Sequence, residues 1–137
     1  MSILQLVDET PASVPLSASV AEAITQMLEL GVGAVAIIDE NNVVAGIFTE
    51  RDVLRKVALT GKDPKSTPVR DVMTGSVVMA TNDISAAEAL EVMVREHHRH
   101  LPVVDEHGKL LGILSIRHLL QAKIDELLSQ WSSTHKA

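Results

Sequence analysis

Hydrophobic positions along this chain alternate between short continuous runs and stripes at the helical period. In the first half, Ala12-Ser13-Val14 reads as a short strand. Ser17 or Ser19 then stands ahead of an apolar stripe at Val20, Ala23, Ile24, Met27, Leu28 and Leu30, which Gly31 ends. A serine cap, a 3.6-residue spacing and a terminal glycine predict a helix. Ala34-Val35-Ala36-Ile37-Ile38 is uninterrupted, as in a strand covered on both faces. Asp39-Glu40-Asn41-Asn42 predicts a turn and Val43-Val44-Ala45-Gly46-Ile47-Phe48 the returning strand. Thr49 opens a helix with Val53, Leu54, Val57 and Ala58 on one face.

The same pattern returns after a polar, Gly- and Pro-containing stretch at 60–68. Strands are predicted at 77–80, 101–104 and 110–114, with helices at 85–97 and from Ser115 to about Gln130. The two halves align without gaps at an offset of 66 residues, the distance from Gly46 to Gly112. Ser19-Val20-Ala21-Glu22-Ala23-Ile24 matches Ser85-Ala86-Ala87-Glu88-Ala89-Leu90, and Ile37-Ile38-Asp39-Glu40 matches Val103-Val104-Asp105-Glu106. The chain is thus two copies of one β-α-β-β-α unit. The predicted division is a first repeat with its lead-in at 1–62, a linker at 63–68, a second repeat at 69–128, and a helix end and frayed tail at 129–137. Ile3-Leu4-Gln5-Leu6 lies at the repeat offset from Val69-Arg70-Asp71-Val72, which predicts a short helix that packs. Leu119, Leu120, Ile124, Leu127, Leu128 and Trp131 carry the last stripe past the point matching the first copy, as a core lid or a dimer contact.

Composition narrows the function classes. The 137 residues are 46% hydrophobic, enough for a compact core. With one Phe, one Trp and no Tyr, there is no aromatic platform for single-stranded nucleic acid. A net charge of −6 argues against a nucleic-acid or anionic-membrane surface. Without cysteine, disulfides, thiolate metal sites and cysteine nucleophiles are excluded. No signal-like or membrane-length apolar run occurs, and a cytoplasmic protein is expected.

The chemistry concentrates in the strand–helix turn Gly46-Ile47-Phe48-Thr49-Glu50-Arg51-Asp52, repeated as Gly112-Ile113-Leu114-Ser115-Ile116-Arg117-His118. Unpaired N–H groups at such a helix start favour anions. Thr49 can cap the helix or touch a phosphate oxygen. Asp52 can close a capping box or accept from sugar hydroxyls. Gly31-Val32-Gly33-Ala34-Val35-Ala36 matches a dinucleotide fingerprint as a string, but a helix precedes it and a strand follows, the reverse of what that fingerprint requires. No Walker A sequence and no nucleophile turn is present. Glu22 and Glu88 sit in first helical turns, where acids are favoured structurally. His97-His98-Arg99-His100 falls at a helix end with a cation inside it; an anion-binding patch or solvated helix-end charges fit it better than a metal site.

These turns, together with Arg99-His100-Leu101-Pro102-Val103-Val104-Asp105 and Asp71-Val72-Met73-Thr74, resemble a tandem pair of CBS (cystathionine-β-synthase) domains of the stand-alone bacterial kind, over roughly residues 3–128. The resemblance implies an α/β fold, two repeats packed sheet to sheet with pseudo-two-fold symmetry (a Bateman-type module), and two clefts for adenosine derivatives: AMP, ADP, ATP, NAD(H) or S-adenosylmethionine. It implies a first cleft with Thr49 and Arg51 near phosphate, Asp52 on the ribose, Ile47, Val77, Val78 and Pro102 around adenine, and Arg99 and His100 supplying positive charge. A second cleft would use Ser115, Arg117 and His118, walled by Ala12, Val32, Gly33 and Ala34. It departs from the pattern at His118, where a carboxylate is usual, and at Gly33-Ala34, which lacks the basic pair.

The expectation is a regulatory, non-catalytic homodimer that senses energy or redox state by binding an adenine nucleotide and signals to a protein target. The rivals are a nucleotide-independent interaction scaffold and a histidine metal module. Replacing Asp52 with alanine is expected to leave the unliganded fold intact.

Overall fold

The computed structural model describes residues 3–7 and 10–134; residues 1, 2, 8, 9 and 135–137, from the expected lead-in and tail, lie outside them. The first repeat contains β1 (Ser13–Pro15), α1 (Val20–Leu30), β2 (Ala34–Ile38), β3 (Val44–Thr49) and α2 (Glu50–Asp52), which continues as a π-helix over Val53–Ala58. The second contains β4 (Ala80–Thr81), α3 (Ala86–Glu96), β5 (His100–Val104), β6 (Leu110–Ser115) and α4 (Ile116–Thr134). Each repeat forms a three-stranded sheet, ordered β1-β2-β3 and β4-β5-β6, with one parallel and one antiparallel pair. Both sheets shift register at the same repeat position, between Ile37 and Ile38 and between Val103 and Val104.

Local chemistry explains the helix ends. Ser19 and Ser85 each accept from the N–H three residues on, Glu22 and Glu88, at 3.1 Å. Both C-caps are left-handed, at Gly31 (φ 65°) and at His97 (φ 59°). Residues 63–68 are tied to α1: Val20 and Ala21 donate to the carbonyls of Thr67 and Pro64, each at 2.9 Å. Those bonds satisfy first-turn donors that have no intrahelical partner.

Three expectations need correction. The strand predicted at 77–80 shrinks to Ala80–Thr81. In the first repeat the Ala36 N–H donates to Ala12 at 2.9 Å; the equivalent residue in the second is Pro102, which has no N–H to give Val78. The helix after Thr49 buries Val57 but leaves Leu54 67% exposed, because π winding turns the side chains off the expected 3.6-residue stripe. The last helix continues to Thr134 rather than fraying from residue 132. Its overhang is no core lid, since Ile124, Leu127, Leu128 and Trp131 are each about half exposed.

The core has three parts. One lies within each repeat, and the third joins the sheets through Ala36, Val44, Val104 and Leu110, with Ile38 and Ile113 against them. Backbone bonds between the two hairpin turns, Val44 N–H to Gly108 and Leu110 N–H to Asn42 at 3.1 Å, continue this seam. The lead-in turns (Ile3–Gln5 and Val69–Asp71) cross over. Ile3 is fully buried in the second repeat's core, while Val69 and Val72 are buried in the first repeat's. Gly46 accommodates Met73 and Thr74, and its counterpart Gly112 accommodates Val7, closer than a β-carbon would allow.

Candidate functional site

The two strand–helix turns open into one groove of about 1200 Å³ between the repeats. That exceeds the roughly 300–1,000 Å³ typical of a small-molecule site. Thr49, which ends β3, is the N-cap of α2 in a reciprocal box with Asp52. Asp52 Oδ2 accepts from the Thr49 N–H at 3.0 Å and the Thr49 hydroxyl at 3.2 Å, while the Asp52 N–H donates to Thr49 Oγ1 at 3.3 Å. Lys56 Nζ sits 3.3 Å from Asp52 Oδ1. Asp52 is 8% exposed and is the buried charged residue among those described. The capping role is therefore realised, and the expectation that this carboxylate adds little to the fold is corrected. A carboxylate offers about four acceptor positions. Two hydroxyls of a sugar would compete there with the Thr49 hydroxyl and Lys56.

The second turn closes the same box with an imidazole. The Ser115 N–H donates to His118 Nδ1 at 3.0 Å, and the His118 N–H donates to Ser115 Oγ at 3.2 Å. An accepting Nδ1 requires neutral imidazole with its proton on Nε2. His118 thus replaces a carboxylate structurally, and its accepting nitrogen is already engaged.

All seven residues expected at the second cleft (Ala12, Val32, Gly33, Ala34, Ser115, Arg117 and His118) line the groove. So do Ile47, Thr49, Arg51, Asp52, Arg99 and His100 from the first. Val77, Val78 and Pro102 do not; with Ile47 and His100 they border a separate crevice of about 20 Å³, room for little more than a water. The two expected residue sets thus line one continuous groove, while Val77, Val78 and Pro102 border the side crevice. His98, His100, Ile47 and Thr74 border both spaces and form the partition.

Burial pushes the His100 imidazole below its ordinary value; Glu50 acts in the opposite sense, and the Arg117 and Arg99 guanidinium groups lower it further. His100 is therefore neutral at pH 7, and the positive charge expected from the pair rests on Arg99. Among the described residues no group of three or more histidines and carboxylates could hold a metal ion. His97, His98, Arg99 and His100 instead all face the groove.

Sequence reasoning missed Glu50, which projects into the groove, and the rim formed by Leu28, Leu54 and Val94. The rim residues belong to helical stripes that look like core, yet Leu28 is 77% exposed. Glu50 carries a signal in the repeat itself: its counterpart is Ile116, a break in otherwise matching turns.

A sequence profile of the CBS domain matches residues 4–59 and again 69–125. The chain belongs to the CBS domain family. An uncharacterized protein from Methanopyrus kandleri is 40% identical over 98 residues, 72% of this chain and 50% of its own length; this chain therefore spans about half of that protein. The structure of a putative signal-transduction protein with CBS domains from Burkholderia ambifaria superposes with a TM-score of 0.82 at 34% identity, covering 91% of this chain and 95% of that one. A CBS domain protein from Pyrobaculum aerophilum, complexed with AMP, has a TM-score of 0.82 at 28% identity over 94% of this chain and 99% of its own. This chain shares its mixed α/β architecture with both of those solved CBS proteins. No helix of this CBS pair, among the described residues, is long and apolar enough to cross a membrane.

Proposed function

We propose that this CBS pair is a regulatory module, not an enzyme, that binds an adenine nucleotide in the groove between its repeats. The observation that carries the reading is the convergence of Arg51, Arg99, Arg117 and both capped turns on one cavity with apolar walls. Guanidinium–phosphate contacts are charge-assisted and strong, and the apolar rim suits a base. The AMP complex of the Pyrobaculum relative supports the same ligand class here. Occupancy would be transmitted by its differential affinity for two packings of the repeats or of two protomers in a cytoplasmic homodimer. The apolar face of α4 also supports a second reading, a dimerisation or interaction scaffold indifferent to nucleotide.

Thermal shift with AMP, ATP, NAD, NADH and S-adenosylmethionine separates the two. A ligand at about 100 times its Kd adds roughly 2.7 kcal/mol to stability. A rise in Tm with at least one adenine nucleotide is expected. Identical melting with all five would refute nucleotide binding and leave the scaffold.

A further inference from the structure

The two repeats are alike in backbone at the groove and opposite in charge, and this difference separates two ligand classes. The Glu50 N–H donates to the Gly33 carbonyl at 3.0 Å, and at the equivalent place the Ile116 N–H donates to the Arg99 carbonyl at 2.9 Å. Two side-chain sets therefore stand on matching frames. In one, Arg99 and His100 lie beside the uncharged Ile116. In the other, Gly33 and Ala34 lie beside Glu50.

The bare backbone at Gly33 is not empty space. Glu50 Oε1 lies 2.8 Å from where a β-carbon on Gly33 would stand, and His100 Cε1 lies 3.4 Å from it. A carboxylate thus occupies the place taken by a basic side chain in the other copy. No ion pair or hydrogen bond to another described residue neutralises it. Arg51 and Arg117 occupy equivalent positions on the two turns and so do not distinguish them. The first cleft keeps two guanidinium groups, Arg51 and Arg99, whereas the second holds one, Arg117, together with the Glu50 carboxylate beside Gly33.

We infer that the second cleft is built for an adenosine derivative lacking a 5′-phosphate, neutral or cationic at that end, and that Glu50 determines this choice. The inference rests on the nucleotide-binding proposal and assigns different ligands to its two halves. A dianionic phosphate would meet the Glu50 carboxylate with no surplus of positive charge. A nucleoside, or the sulfonium of S-adenosylmethionine, would not.

Titration calorimetry on the full chain with AMP, adenosine and S-adenosylmethionine tests this in the wild type, E50Q and E50I. The last variant installs the residue found in the second turn. The wild type is expected to take one AMP but two adenosines per chain. Both variants are expected to gain a second AMP site, its affinity raised at least about ten-fold by removal of a unit charge several ångströms away, with adenosine binding unchanged. Glu50 is exposed, so unliganded melting should match the wild type. Two AMP per wild-type chain, or single occupancy by every ligand in every variant, overturns the inference without touching the nucleotide-binding proposal. No binding of any of the three ligands to the wild type overturns the inference, and the nucleotide-binding proposal falls with it when ATP, NAD and NADH also leave the melting temperature unchanged.

Discussion

Replacing Asp52 with alanine removes more than a candidate ligand contact. The side chain closes the box around Thr49, with Oδ2 at 3.0 Å from the Thr49 N–H. Loss of a helix cap costs about 1 kcal/mol. The Thr49 N–H, part-buried, is left without its acceptor, which adds roughly 1–2 kcal/mol. The Lys56 contact contributes at most about 0.5 kcal/mol, because that side chain is 42% exposed. D52A should therefore lose about 2–3 kcal/mol in urea unfolding of the unliganded protein. D52N keeps an oxygen for the Thr49 N–H and should lose less than about 1 kcal/mol. H118A, which removes an uncharged partner from the equivalent box, should lose about 1 kcal/mol. Equal unfolding midpoints for D52A and wild type would refute the capping argument, as would a D52N loss as large as that of D52A. The consequence is practical: D52N, not D52A, separates ligand binding from folding at this residue.

Three further outcomes follow from packing and charge. G46A should lose about 2–3 kcal/mol, because a β-carbon there would meet both the Met73 side chain and the Thr74 carbonyl 3.0 Å away; in G112A the three nearest atoms all belong to the Val7 side chain, which can shift more readily than backbone, and the loss should be smaller, both read by chemical denaturation. H97G should stabilise by roughly 1 kcal/mol, since it relieves a non-glycine left-handed cap at φ 59°, and calorimetry should show Tm up by about 3 °C. For His100 the folded-state value lies below the ordinary 6.5, so the unfolded chain binds the proton first. Its stabilising contribution is complete above about pH 6.5 and is lost as pH falls through the folded value, so H100Q should flatten that part of the stability–pH curve.

The gapless repeat, the serine caps, the Gly31 terminus and the strand–helix turns were all legible in the sequence. Each depends on residues close together in the chain, through hydrogen bonds spanning three or four positions or a fixed side-chain period. Even the site was partly legible, because a turn written twice places Thr49 and Ser115, Arg51 and Arg117 in equivalent surroundings. Glu50 was passed over because its neighbours in the chain say nothing of Gly33, which only the fold brings beneath it.

What tertiary structure alone decided depends on contacts between distant segments. The exchange of Ile3 and Val69 between cores cannot be read from periodicity, since either core would accept an aliphatic side chain. The gathering of two expected residue sets into one groove, the side crevice beside Pro102 and the outward turn of Leu28 and Leu54 depend on how two sheets meet. Sequence fixes which residues each repeat offers; packing across the pseudo-two-fold seam determines which of them face each other, because burial and charge act between surfaces that local hydrogen bonding does not join.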